Sequence, residues 1–114
     1  KNATTGAITT NATYGATITG GVQSLSGAGA VDLTNLITEL TTTGADALTL
    51  ADGTTSGQVK IVTMIVDGGD GTLTPVTFAN GTTITFDAVA ESATLVWNST
   101  IGWVATSVQG ATIA

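Results

Sequence analysis

The chain contains no cysteine, no histidine and no arginine, and a single proline, Pro75. Each absence excludes something. Without cysteine no disulfide can hold the fold, and nothing can be read about redox compartment. Without histidine or cysteine there is no Ser/His/Asp or Cys/His catalytic arrangement and no ordinary zinc ligand set. The only cations are Lys1 and Lys60, against eight acids and a net charge of −6. Nucleic acid and anionic membrane both need clustered Lys or Arg, so neither is expected as a partner. No apolar run approaches the roughly 20 residues of a membrane-spanning helix. No signal peptide is visible, and the start at Lys1 rather than Met is expected of a processed or trimmed chain, or of a fragment.

Threonine is present in excess, at 26 of 114 residues, with 15 glycines and abundant alanine. Threonine is β-branched, stiff at χ1 and suited to a half-buried pleated surface. Only 9% of residues are charged, so the surface must be largely neutral hydroxyl. That is a texture of extracellular and virion proteins more than of cytosolic enzymes. A chain of this length makes one domain and can bury a single core without staples.

Residues 1–30 are low in complexity and apolar bulk, and are read as an extended arm carrying one or two strands. Residues 31–114 are read as the β-domain. Val31, Leu33, Leu36, Ile37 and Leu40 fit neither helix nor strand period cleanly; the neighbouring Thr41, Thr42 and Thr43 favour strand. Ala47 to Leu50 reads as a strand closed by an Asp52-Gly53 turn. Gln58 to Val66 is nearly continuous in apolar residues and is expected to be a central strand covered on both faces. Lys60 is expected at its entrance with the amine in solvent. Thr72 to Phe78, broken by Pro75, suits an edge or a bulge. Asn80-Gly81 is a hairpin signal leading into residues 82–86. Ser92 to Trp97 and Trp103 to Val108 pair as a final hairpin. Short strands with turn signals every eight to twelve residues predict an all-β fold, an antiparallel β-sandwich or jelly-roll-like barrel.

The phrases TTTGADALTLADGT (41–54), VDGGDGTLTP (66–75), NGTTITFDAVAESATLVWN (80–98) and GWVATSVQGATIA (102–114) resemble a module of structural proteins from marine tailed phages, including cyanophages. The resemblance covers about three-quarters of the chain and leaves out the first 30 residues. It implies a β-rich virion module, either a capsid decoration (cement) protein or a fibre or tail module, often oligomeric, and a homotrimer is expected here. It carries over no catalytic residue. The expected partners are further copies of the chain and the major capsid protein or another virion protein, at the virion surface. An extracellular or S-layer-type cellular module is the remaining alternative.

No catalytic residues and no cofactor are assigned. The eight acids stand beside turn residues, and Gly68-Gly69-Asp70-Gly71 lacks the lysine of a phosphate loop. Asp67 and Asp70 are weak calcium candidates, since Ca²⁺ takes oxygen ligands; a plain Asp/Gly turn is the favoured reading. Sequons begin at Asn2, Asn11, Asn80 and Asn98, as a threonine-rich chain produces by chance. Tyr14, Trp97 and Trp103 are candidates for a glycan-stacking platform or for buried packing anchors; in a core poor in aromatics the second is favoured. Edge strands without Lys or Pro protection are expected to pair between subunits.

Overall fold

The computed structural model describes residues 20–114. Their ten strands are β1 (Val22–Ser26), β2 (Gly29–Val31), β3 (Ile37–Thr41), β4 (Asp46–Leu50), β5 (Val59–Val66), β6 (Gly71–Pro75), β7 (Ile84–Phe86), β8 (Ser92–Asn98), β9 (Gly102–Gln109) and β10 (Thr112–Ile113). They form two five-stranded sheets, ordered β9-β8-β5-β3-β1 and β10-β7-β6-β4-β2. The fold is all-β and sandwich-like, as composition and turn spacing predict.

The strand directions differ from the antiparallel expectation. From β1 to β6 the chain alternates between the sheets, and each strand lies parallel to the one two before it. The first half is therefore a flattened coil of three turns, each with one strand per sheet. From β7 onward the direction reverses: β7 returns antiparallel on β6, β8 on β5, β9 on β8 and β10 on β7. Parallel strands need a crossover, and here the crossover is a strand of the opposite sheet. Turn spacing alone cannot distinguish this from a hairpin meander, because both place breaks at the same intervals.

Alternation along each strand builds the core. The first sheet sends in Leu40, Val62, Met64, Ala93, Leu95 and Trp97; the second sends in Val31, Leu48, Leu50, Leu73, Ile84 and Phe86. Buried side-chain polar atoms among the described residues are all hydrogen-bonded. Thr38 donates to Gln23 Oε1 at 2.7 Å, and Gln23 in turn donates to the Ala30 carbonyl at 2.9 Å, tying the first turn of the coil to the second.

Several local expectations are corrected. The segment from Val31 to Leu40 is strand, but in two pieces separated by the loop 32–36, which explains its mixed period. The division drawn at residue 30 falls inside β2. Residues 22–31 are paired into both sheets, and residues 1–19 lie outside the described residues. Strand β6 is interior, not an edge; Pro75 is tolerated as its last residue, and the Val76 amide takes up the bond to Leu50 O instead. Asn80 and Gly81 do not form the two-residue turn, since neither has positive φ. The connection 76–83 instead runs across to the first sheet, where Phe78 bridges Trp103 and the Asn80 side chain accepts the Ala105 amide at 2.8 Å. That contact satisfies an amide where the β8–β9 register shifts. The final hairpin forms as expected. Asn98 Oδ1 accepts from Thr100 N and Ile101 N, and Gly102 supplies the positive φ.

Candidate functional site

The two tryptophans stand directly opposite each other on β8 and β9. Their ring centroids are 5.4 Å apart and their planes cross at 63°, an edge-to-face pair. Trp103 is fully buried, and Trp97 is nearly so. Trp103 Nε1 donates to Ala51 O at 2.9 Å, so the indole anchors the segment that leaves β4. Gly53 lies flat on Trp97: a Cβ there would come 2.3 Å from the Trp97 ring. Asp52-Gly53 thus serves a close approach and not the turn expected of it. The pair is a packing anchor, and neither ring is presented for stacking on a glycan. Tyr14 lies outside the described residues.

Asp67 and Asp70 fall in the tight turn between β5 and β6. The Asp67 carboxylate accepts from Gly69 N at 3.1 Å, an Asx turn, and the Asp70 carbonyl accepts from Asp46 N. Thr42 reaches into this turn, with its hydroxyl accepting from Gly68 N and donating to Gly69 O at 2.7 Å. A Cβ at position 68 would lie 2.2 Å from Thr42 O, which accounts for that glycine. Among the described residues no three acidic side chains converge as a metal would require. Both acids are accounted for by the turn.

Lys60 departs furthest from its expected place. It is 1% exposed and its amine does not reach solvent. Lys60 Nζ donates to Asp32 Oδ1 at 3.1 Å and to Asn35 O at 2.9 Å, closing the loop 32–36 over the edge of the core. Asp32 also accepts from the Asn35 backbone and side-chain amides. Burial pushes the Lys60 amine below its usual pKa, an effect that Asp32 partly offsets. Burial alone would raise the Asp32 carboxyl; hydrogen bonds from Asn35 and Lys60 outweigh it and hold the group below the ordinary carboxylate value. The pair is structural: it fixes a loop, and among the described residues no cavity opens onto it. The sequence signal for it was a lone lysine alternating into the inward positions of an apolar strand.

No family model matches the chain, and no curated protein matches it.

What distinguishes the surface is the pair of outward sheet faces. On the second sheet the register aligns Ala30, Thr49 and Thr74 in one row and Ala47, Thr72, Thr85 and Thr112 in the next. On the first sheet it aligns Val59, Val96 and Val104 in one row and Val22, Ile37, Ile61, Thr94 and Ser107 in the next. Over these rows one face is mostly hydroxyl and the other mostly aliphatic. Strand β5 is therefore central but not covered on both faces. Its outward Val59 and Ile65 are 38% and 43% exposed.

Proposed function

We propose that the chain is a virion structural protein without catalytic activity, a capsid decoration module that binds the phage head and assembles with copies of itself. The observation that carries this reading is the chemistry of its outward faces. Two outward sheet faces of low charge, one mostly threonine and one carrying a block of Val and Ile beside a polar row that includes Glu39, suit extended contact with other subunits rather than turnover of a small molecule. Acids mostly kept to turns and strand ends, such as Asp67, Asp70 and Asp87, with Glu39 the mid-strand exception, suit that role too. The resemblance of its linked phrases to marine-phage structural modules is what suggests the virion setting. The deciding experiment is mass spectrometry of purified virions with immunolabelling of the particle. Hundreds of copies on the head support decoration. A handful on the tail would favour the fibre alternative. Absence from the particle overturns the reading.

A further inference from the structure

We infer that the two aliphatic rows on the first sheet are a self-association face that takes the same face of a second copy of this chain. The inference rests on the self-assembly part of the reading above and names the surface that performs it.

The two sheets supply an internal control. Valine and threonine have nearly the same shape and similar strand propensity, so an outward strand position can use either. On the second sheet five of the seven aligned outward positions are threonine. On the first, Val59, Val96, Val104, Val22, Ile37 and Ile61 occupy contiguous positions in two adjacent rows. Propensity cannot account for that difference between faces of one small domain; removal from water can. The apolar block is confined. The next row along the strands is Ser24, Glu39, Thr63, Ser92 and Gln109.

Charge selects the occupant. Two copies of a chain carrying −6 repel wherever their acids face one another, and these two rows carry none of the eight acids. Identical acidic chains can meet over these rows without opposing acids within them, Glu39 standing in the bordering row. A basic partner would be drawn to the acids elsewhere. Face-to-face packing lets β-branched side chains interdigitate as they do between the sheets of a sandwich.

Strand spacing and rise give the rows a footprint on the order of 300 Å². Two facing copies then bury about 600 Å², well under the ~1,200 Å² at which specific complexes become stable. The association is accordingly weak between free chains and gains strength where copies are held side by side.

Sedimentation equilibrium of the purified chain from micromolar to millimolar concentration tests this. Wild type is compared with the triple variant Val59→Thr, Val96→Thr, Val104→Thr. These changes keep shape and strand propensity, and circular dichroism with thermal melting checks that the variant folds. Should it not fold, Val96→Thr alone replaces it. The expected result is a mass that rises with concentration for wild type, and association weaker by about tenfold or more for the triple variant. A wild type that stays monomeric overturns both this face and self-assembly, leaving residues 1–19 or an unlike protein as its cover. Association unchanged in the variant overturns this face alone.

Discussion

Removing either partner of the Lys60–Asp32 pair separates two physical costs that are usually confounded. Lys60 is 1% exposed and Asp32 31% exposed. Asp32→Ala strands an ammonium in the core with a single remaining acceptor, the Asn35 carbonyl. Leaving a buried charge uncompensated costs about 3–5 kcal/mol, and the lower end, about 3, applies here because water reaches the Asp32 position. Lys60→Met keeps the length of the side chain and removes the buried charge. The carboxylate left behind is partly solvated and keeps its two Asn35 donors. The expected loss is about 1 kcal/mol or less, since apolar replacement of a buried ion is often near neutral. The double variant should be more stable than Asp32→Ala alone, a large favourable coupling. Urea denaturation with a common m-value measures all three. If Lys60→Met costs as much as Asp32→Ala, the argument from unequal burial is wrong. Acid gives an independent check. Asp32 has a folded pKa below its unfolded 3.8, so its contribution is present above 3.8 and lost as pH falls through the lower folded value. Wild type should therefore lose more stability than Asp32→Asn between pH 5 and the acid limit. Lys60, depressed by burial below 10.5, has the same sign at the alkaline end: the unfolded chain holds its proton longer, so this group too adds stability as pH rises.

Trp103→Phe removes the Nε1 donor from Ala51 O and should cost about 1–3 kcal/mol by thermal melting, while wild-type tryptophan emission should be blue-shifted because both rings are buried. Thr42→Val keeps the side-chain volume but leaves Gly68 N and Gly69 O without their partner, with an expected loss of about 1–3 kcal/mol in urea. Ala90 holds φ of 76° without being glycine, so Ala90→Gly should be neutral to stabilising by up to about 1 kcal/mol; a clear loss would refute strain at this turn. Chelation by EDTA should leave the melting temperature unchanged, because the Asp67–Gly71 turn is closed by its own hydrogen bonds; a drop of several degrees would restore the calcium reading.

How legible each feature was depended on how local its cause is. The fold class, the Asn98–Gly102 hairpin and the inward tryptophans follow from alternation and turn chemistry within a few residues, and all could be read from the chain. The parallel coil could not, because Val22 pairs with Ile37 and Ile37 with Ile61 across separations that carry no period. The Asn80-Gly81 signal misled for a related reason: Asn80 is committed to Ala105, 25 residues away, and a distant bond outweighed a local turn preference. Lys60 was misplaced because a snorkelling lysine is the commoner outcome when no carboxylate is known to be near, and Asp32 is 28 residues distant.

The apolar face shows what register adds. In sequence order Val22, Ile37, Ile61, Val96 and Val104 are scattered residues, each unremarkable alone. Paired across five strands they become one surface, while the same operation on the second sheet yields threonine. A chain that can choose hydroxyl or methyl at equal cost to its strands has chosen differently on its two sides. Nothing among the described residues of a single copy uses that difference, and so it argues for a neighbour.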